Sequence, residues 1–303
     1  MMQQIRRMVD FMQWPLLFGG SLWGMSLGMA HGHGTLGFNI TYLCLAVTLF
    51  VLEKSRPHED EWLDSDGQEP ADLAHTLFTK IFVQVMVVSL VNLGIVHQFG
   101  DRESSGIWPE HWPMFFQVAL GLAIAEFGLY WAHRLAHEWM PLWRFHAVHH
   151  SSRKLWFFNT GRFHFVDTLK SMLFAAPLIA LAGAPGEVFL WGSACTAFIG
   201  ILTHCNVRMR CGWLNYIFNT PNLHRWHHSM DLREGNKNYG ENLVLWDLIF
   251  RTYFHEKDRR PPQKIGIREA MPRSFFGQLA APFYWKRFQA SAHERKDILG
   301  AGK

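Results

Sequence analysis

The chain has 303 residues, of which 49% are hydrophobic, and a formal net charge of +4 at pH 7. This length is enough for one large domain or two small ones. The positive charge is concentrated in residues 251–303, which contain twelve Lys and Arg against five Asp and Glu. The basic tail is explained either by a solvated surface or by contact with anionic lipid head groups. Nucleic-acid binding is the weaker alternative, because the rest of the chain is apolar and rich in tryptophan.

Four apolar segments are predicted to cross a membrane, at residues 14–30, 36–52, 81–96 and 114–132. Each approaches the roughly 20 residues that are needed to span the hydrocarbon layer. Buried helices of a large soluble protein are the alternative explanation for any one segment.

Basic residues at the ends of these segments predict their orientation. Arg6 and Arg7 precede the first segment, and Lys54 and Arg56 follow the second. The positive-inside rule places both of these ends in the cytoplasm. Four crossings return the chain to the same side at His133, so we expect an integral membrane protein whose active site faces the cytoplasm.

A fifth apolar stretch, at residues 172–202, is divided by a Gly-Ala-Pro-Gly turn at 183–186. Each arm is short for a helix that crosses the hydrocarbon layer, which favours a re-entrant or interfacial helical hairpin. Two true spans are the alternative, and either arrangement returns the chain to the same side. Beyond residue 257, two consecutive prolines and scattered charges predict a loosely packed tail.

The predicted fold is therefore all-α and polytopic, with about four transmembrane helices, the apolar hairpin and a cytosolic histidine-rich helical cap. We expect a membrane domain over residues 1–132 and a histidine-rich catalytic region over 133–256 that includes the hairpin. A basic C-terminal tail over 257–303 completes the chain.

Histidines form three clusters after the fourth segment, in YWAHRLAHEW, RFHAVHHSS and LHRWHHSMD. Helical residues three and four apart lie on one face and can converge on a common point. Eight packed imidazoles carry polar nitrogens into a buried site and would repel one another on protonation, and a metal cation compensates both effects most directly. The candidate ligands are His133, His137, His146, His149, His150, His224, His227 and His228.

Eight nitrogen ligands exceed what one ion can use, because an octahedral ion takes six and some positions must stay open for substrate or oxygen. Two metal ions therefore fit better than one. Iron suits an imidazole-rich site with open positions, and zinc is the competitor because it also favours histidine. The sequence HEWMP, which begins at His137, has the Glu of a zinc hydrolase motif but no second His, which argues against a zinc hydrolase.

The ordered motifs His-x3-His, His-x2-His-His and a second His-x2-His-His, on a polytopic membrane chain, resemble the fatty acid hydroxylase and sterol desaturase superfamily. The resemblance extends from about residue 126 to about residue 253, and its most specific parts are THCNVR, NTPNLHRWHHSMD and NYGENLVLWD. Members of this superfamily are membrane di-iron enzymes that use dioxygen and external electrons to oxidise lipid C–H bonds. The resemblance implies two iron ions, O2 and a lipid substrate, with the eight histidines as iron ligands and His204 as a ninth.

Polar residues near the motifs are candidates to orient the ligands or to add one. Glu126 lies two helical turns before His133 on the same face, although a buried or water-paired carboxylate explains it equally well. His164 and Asp167 are one helical turn apart. This spacing suits a carboxylate that orients the imidazole, and the imidazole is then either a further metal ligand or a neighbour of the ligands. Helix capping and turn formation are at least as good an explanation for the remaining candidates, Asn206, Asp231, Asn238 and Asp247.

The sequence contains no recognisable redox domain of its own. Its one G-x-G-x-x-G match, at residues 32–37, lies in the turn between the first two apolar segments and not after a strand, as a nucleotide-binding site requires. The sequence has no C-x-x-C-H haem site and no ferredoxin-like cysteine array, and its four cysteines have no C-x-x-C spacing. We therefore expect an external electron donor, which is a reductase, a ferredoxin, a cytochrome or a pterin. The basic tail is a candidate docking surface for an acidic carrier.

The predicted function is hydroxylation of a lipid C–H bond. A sterol or lipid desaturase, or an ether-lipid monooxygenase, would use the same metal site and is the closest alternative. A metal-transporting or metal-binding membrane protein is an alternative of another class. Transport requires polar residues along the spans, however, and the first two segments carry no charge.

Overall fold

The computed structural model describes residues 2–92 and 107–290. Within these ranges the regular structure is helical, and the β-type pairings are three isolated bridges. The longer helices are α1 (Met2–Ala30), α2 (Gly34–Ser55), α3 (Glu69–Asn92), α4 (Met114–Glu138), α5 (Met140–His150), α6 (Phe165–Leu181) and α7 (Gly186–His204). Shorter helices follow, namely α8 (Pro221–His227), α9 (Leu232–Gly235), α10 (Leu245–Ile249) and α11 (Phe275–Ala280). The predicted all-α membrane fold is confirmed.

Three helices of the described ranges are long and apolar enough to cross a membrane, and they are α2, α4 and α7. The first two contain the predicted segments 36–52 and 114–132. Residues 14–30 form the second half of α1, and α3 covers the beginning of the predicted segment 81–96, whose last four residues lie outside the described ranges. The protein is therefore a membrane protein with at least these three candidate spans.

The predicted hairpin is present as α6 and α7, which are separated by residues 182–185. The expectation that both arms are too short is wrong for the second arm. Helix α7 continues past the apolar stretch to His204, and its 19 residues are long enough to cross. Both arms pack against α4, which also contacts α5.

A hydrophobic core lies where α1, α2 and α7 meet. Its fully buried members include Trp14 of α1, Leu49 of α2 and Phe198 of α7. Burial of a large apolar side chain stabilises a fold by roughly 1.5–3 kcal/mol. This core fixes the end of α7, and with it the position of His204.

The helix ends that carry charge and histidine lie on one side of the molecule. Arg56, after α2, donates to Asp10 of α1 at 2.6 Å. The backbone N–H of Asn206, just beyond α7, donates to the Glu53 carboxylate at 2.8 Å. Helix α4 continues from its apolar part into His133 and His137 without a break.

The segment after residue 256 packs closely against the rest of the molecule, so the expectation of a loosely packed tail is wrong for its described part. Trp62 donates to the carbonyl of Gln263 at 3.1 Å, and the N–H of Gly266 donates to the carbonyl of His228 at 3.2 Å. Farther along, Gln278 and Trp285 are buried. Polar backbone contacts and a few apolar anchors hold this segment despite its charge. The predicted three-part domain division stays a prediction.

Candidate metal centre

Four helices bring the nine predicted ligands to one place. Helix α4 ends at Glu138, directly after His137, and Trp139 in extended conformation turns the chain into α5, which has Pro141 in its first turn. Helix α8 begins in the same way, with Pro221 after Thr220. The histidines lie on α4 (His133, His137), on α5 (His146, His149, His150), at the end of α7 (His204) and on and just after α8 (His224, His227, His228).

The nine imidazoles form two groups, within each of which one ligand nitrogen per residue lies within 4.8 Å of the others. The five-histidine group consists of His133, His137, His146, His150 and His227. The four-histidine group consists of His149, His204, His224 and His228.

Each His-x-x-His-His motif is divided between the two groups. In the first motif, the pair four residues apart belongs to the five-histidine group and His149 belongs to the other. In the second motif the assignment is reversed, because His224 and His228 belong to the four-histidine group and His227 to the five-histidine group. Helical periodicity explains this division. Side chains four residues apart on a helix point in nearly the same direction, whereas the side chain directly before the second of them points in another direction.

The donor atoms fit a pair of metal ions. The Nε2 atoms of His133, His146 and His227 are buried and have no hydrogen-bond partner among the described residues, and a buried unsatisfied polar atom costs about 1–3 kcal/mol. Other Nε2 atoms face one another, at 2.9 Å between His204 and His224. Two imidazoles at right angles on one ion, with bonds of about 2.0–2.1 Å, bring their nitrogens about 3 Å apart.

Oxygen acceptors fix the orientation of four rings in the five-histidine group. The Nδ1 of His133 donates to the carbonyl of Tyr239 at 2.7 Å, and that of His227 to the carbonyl of Lys237 at 2.7 Å. The other two acceptors are side chains: Asn236 for His137 at 3.2 Å and Asp167 for His146 at 2.8 Å. A proton on Nδ1 leaves the Nε2 lone pair free to bind a cation.

The four-histidine group has fewer acceptors. The Nδ1 of His204 donates to the side-chain oxygen of Asn159 at 2.9 Å, and that of His149 to the carbonyl of Arg162 at 3.3 Å. The Nδ1 of His228 is buried without a partner in the described part of the chain.

Electrostatics keep the imidazoles neutral. Burial lowers the pKa of His149, His150, His224 and His228 well below the usual value, and the neighbouring imidazoles lower it further. Burial lowers the pKa of His227 to about 3. Burial acts to raise the pKa of Asp167, but Lys170 and His146 outweigh it, so that this carboxyl group is ionised. Neutral imidazoles beside an ionised carboxylate are the state in which such a site binds metal.

Comparison with known proteins gives the family. A sequence profile of the fatty acid hydroxylase family matches residues 118–252, which include all nine histidines. The chain is 47% identical to the ornithine lipid hydroxylase OlsE of Rhizobium tropici over 296 residues, which is 96% of this chain and 87% of that relative. The chain belongs to the fatty acid hydroxylase family. The predicted family and the predicted enzyme class, a lipid hydroxylase, are confirmed.

More distant relatives cover only part of the chain. The alkylglycerol monooxygenase of Danio rerio is 32% identical over 184 residues, 60% of this chain and 39% of that relative. The human alkylglycerol monooxygenase is 32% identical over 152 residues, 50% of this chain and 33% of that relative. No solved structure matches the chain. The family and the two histidine groups together support a metal-dependent oxygenase.

Three predicted carboxylates lie close to the centre, but only one of them contacts a candidate ligand. Asp167 binds His146 directly, whereas Glu126 accepts from the backbone N–H groups of Glu241 and Asn242. Asp247 accepts from the N–H of Tyr239 at 2.8 Å. Glu126 and Asp247 therefore fix the loop whose Tyr239 carbonyl orients His133, and they act one step away from the ligands.

Four other predicted residues do not contact a ligand side chain. The Nδ1 of His164 accepts from the N–H of Val166 and caps α6. Asp231 caps α9 and pairs with Arg233 at the surface. The Asn206 amide binds the backbone N–H and carbonyl of Glu59. The Asn238 amide accepts from the N–H of Phe254 and donates to the carbonyls of Phe254 and Leu223. Helix capping explains His164 and Asp231, whereas Asn206 and Asn238 connect backbone segments that are distant in the sequence.

Sequence reasoning missed most of the groups that orient the rings. These are the carbonyls of Tyr239, Lys237 and Arg162 and the side chains of Asn236 and Asn159. Every residue has a carbonyl, so no sequence signal marks those three. Asn159 is separated from His204 by 45 residues, and no motif spacing connects them.

Proposed function

We propose that this protein is a di-iron oxygenase that hydroxylates a C–H bond of an amino-acid-headed lipid of the ornithine lipid type. The observation that carries the proposal is the division of nine mostly buried imidazoles into a group of five and a group of four. The substrate class is supported by the 47% identity to an ornithine lipid hydroxylase over nearly the whole chain.

The five-histidine group would hold one iron ion and the four-histidine group the other. Bound iron supplies the chemistry that activates dioxygen for attack on an unactivated C–H bond. Both groups leave ligand positions open on an octahedral ion, which favours iron over a closed structural zinc site.

The protein's own residues orient and isolate the centre. Asp167 and the backbone carbonyls of Tyr239 and Lys237 hold protons on Nδ1, which keeps Nε2 directed inward. The buried Arg162 holds the carbonyl of Val148 at 3.0 Å, within the helix that carries three ligands. Burial of the imidazoles excludes water, which protects the reaction from side products.

Lipid can reach the centre from the bilayer beside α4 and α6. Phe127 of α4 and Leu173 and Phe174 of α6 are exposed apolar side chains. His133 is six residues beyond Phe127 on α4, a rise of about 9 Å. An acyl chain against these side chains would bring the polar part of the same lipid to the level of the metal centre.

We propose that the centre faces the cytoplasm. The Arg56–Asp10 ion pair joins the beginning of α1 to the end of α2, and the Glu53–Asn206 contact joins that side to the end of α7. The histidines thus lie on the side that carries Arg6, Arg7 and Lys54, which the positive-inside rule assigns to the cytoplasm.

An external carrier would deliver the electrons, and the exposed basic residues Lys264, Arg268 and Arg273 support docking of an acidic partner. They flank Gly266, whose N–H donates to the carbonyl of the ligand His228. This segment therefore connects the surface to the four-histidine group through that hydrogen bond.

The test combines metal analysis with lipid analysis. We expect about two irons per purified chain, and an added hydroxyl group on an amino-acid-headed lipid in cells that express the protein. Grown under labelled dioxygen, these cells should retain the label in the lipid. The His146→Ala and His149→Ala variants should lose the product, whereas His33→Ala, at an exposed turn outside the centre, should keep it.

Three results would contradict the proposal. Less than one metal per chain would end the di-iron assignment, and an unchanged lipid profile would remove the enzyme assignment in cells that contain the substrate. A dehydrogenated lipid with the label in water would instead indicate a desaturase, and consumption of ether lipids an ether-lipid monooxygenase.

A further inference from the structure

We infer that the two histidine groups differ in metal affinity: the five-histidine group, supported by Asp167, fills first, and the four-histidine group holds its ion more weakly. This inference rests on the proposed metal centre. It concerns the order and strength of loading, which the number of ligands and the groups behind them determine.

The five-histidine group is the better supported of the two. Four of its five rings donate from Nδ1 to an oxygen atom. One of these acceptors is the Asp167 carboxylate, which divides its oxygens between His146 at 2.8 Å and the buried Lys170 at 2.6 Å. A carboxylate behind a ligating imidazole makes the ligand more basic and binds the metal more tightly.

The four-histidine group has one ligand fewer and weaker support. Its two oxygen acceptors, the Asn159 amide and the Arg162 carbonyl, are uncharged, and the second lies at 3.3 Å. The Nδ1 of His224 faces the Asn219 amide nitrogen at 3.4 Å. The Nδ1 of His228 has no partner in the described ranges.

These differences act in the same direction. Loss of a partner behind a ligand typically weakens metal binding about 10–100-fold. Among the described residues, the four-histidine group has two rings without an oxygen acceptor, against one in the five-histidine group, and it has one ligand fewer. The ion that is held by fewer imidazoles also has more open positions. The weaker site is therefore the one that exchanges its metal.

Stepwise titration of the metal-free protein tests the inference. The whole chain is purified in detergent, freed of metal with a chelator and titrated with Co²⁺, whose absorption spectrum reports each bound ion. We expect two successive steps of one equivalent each, with dissociation constants at least about tenfold apart.

Variants assign each step to a group. His146→Ala should abolish the tight step, and His204→Ala should abolish the weak step and leave the tight step intact. The double variant Asp167→Asn with Lys170→Met removes both buried charges together, so that neither is left unpaired. It should weaken the tight step about 10–100-fold and leave the weak step in place. Asn159→Leu is the matched change behind the other group and should affect only the weak step.

The outcomes separate this inference from the proposed function. Two simultaneous equivalents of equal affinity, or a tight step that is lost in His204→Ala, would overturn the order of loading and leave the di-metal centre standing. Uptake of less than one equivalent by a folded wild-type protein would overturn both. Helical circular dichroism and thermal unfolding identify any variant that has failed to fold, and His146→Asn and His204→Asn then replace the alanine variants.

Discussion

Arg162 shows how one side chain connects the centre to the scaffold. It is buried and donates to Asp72 of α3 at 2.6 Å, to the carbonyl of Val148 at 3.0 Å and to the hydroxyl of Ser151 at 2.9 Å. Its own carbonyl accepts from His149. The same residue therefore positions a ligand ring through its backbone and the end of α5 through its guanidinium group.

Removal of this cation should destabilise the protein strongly. In Arg162→Met the Asp72 carboxylate stays buried without its partner, which typically costs about 3–5 kcal/mol. Thermal unfolding in detergent measures the loss, and Arg162→Met with Asp72→Asn should recover part of it. Arg233→Met breaks an ion pair of similar length, 2.7 Å, that is exposed, and should leave the unfolding midpoint unchanged. Equal midpoints for Arg162→Met and Arg233→Met would contradict the argument.

The metal-free protein should lose stability as the pH falls below about 6.5. Unfolded histidine takes up a proton near that pH, whereas the ligand imidazoles outside the spans have lowered pKa values, with His227 at about 3. The unfolded state thus binds more protons, and each such histidine removes up to about 1.4 kcal/mol per pH unit.

Unfolding midpoints measured with a chelator at pH values from 8 to 5 test this dependence. They should be flat above pH 7 and fall steeply below 6.5, and added metal should move the fall to lower pH because it competes with protons. His33→Ala should keep the slope, since that residue is exposed. A flat profile across the whole range would show that the rings are not buried as neutral imidazoles.

At this scale the sequence predicts which imidazoles are grouped better than it predicts the residues that orient them. Spacing alone identifies eight imidazoles, because a helix converts intervals of three and four into direction. His204 has no partner at such an interval, and only the resemblance of THCN to the family indicates it. Asp167 is found because it is charged and one turn from an imidazole, although its partner is His146 rather than the adjacent His164.

Helix α4 is the element on which the centre is built. It packs against α5, α6 and α7, and it carries His133, His137 and the buried Glu126. Its contact with α6 is unusually close, because a Cβ atom at Gly128 would overlap the carbonyl oxygen of Phe174 and lie 2.9 Å from the Cα of Ala175. The position of Asp167 at the start of α6 therefore depends on glycine at position 128 of α4, where a side chain would not fit.

A larger residue at Gly128 should separate these helices. Gly128→Val has to displace the backbone of α6, so we expect loss of stability, about 1–3 kcal/mol for overpacking, and weaker metal retention because Asp167 moves from His146. Gly192→Val in α7, where a Cβ atom meets nothing within 4 Å, is the control. Thermal unfolding and metal content are the measurements, and identical values for the two variants would refute the close contact.

Hydropathy predicts the long elements and fails for the short ones. Apolar runs identify α2 and α4 because their length exceeds that of an ordinary buried helix. Helix α8 has seven residues, and Pro221, Leu223, Arg225 and Trp226 are buried on all its sides. A helix that is surrounded by protein has no apolar stripe, so its pattern cannot be distinguished from that of a loop.

For the whole molecule, the decisive arrangement is that all four ligand-bearing helix ends meet on one side. Arg233 lies on that side, beyond α8, and is exposed, while His33 lies in the exposed turn between α1 and α2. The α1–α2 turn lies at one end of these two helices, and the Arg56–Asp10 ion pair lies toward their other end. The two positions are therefore expected on opposite sides of the membrane.

Cysteine labelling tests the orientation. In a Cys44→Ala background, which removes the exposed native thiol, His33→Cys should react with a membrane-impermeant maleimide in intact cells. Arg233→Cys should react only after the membrane is permeabilised. The reverse pattern would place the centre outside the cytoplasm, and labelling of both positions in intact cells would contradict a membrane-spanning α1–α2 pair.

The division of each histidine motif between the two groups has a consequence for biosynthesis. The five-histidine group needs His227, and three of the four members of the other group lie at or beyond residue 204. A ribosome releases the chain from its N-terminus, so neither set is complete until the candidate spans α2, α4 and α7 have been synthesised. We therefore expect metal acquisition to follow membrane insertion of these spans, and a nascent chain stalled before residue 224 to lack a complete site for either ion.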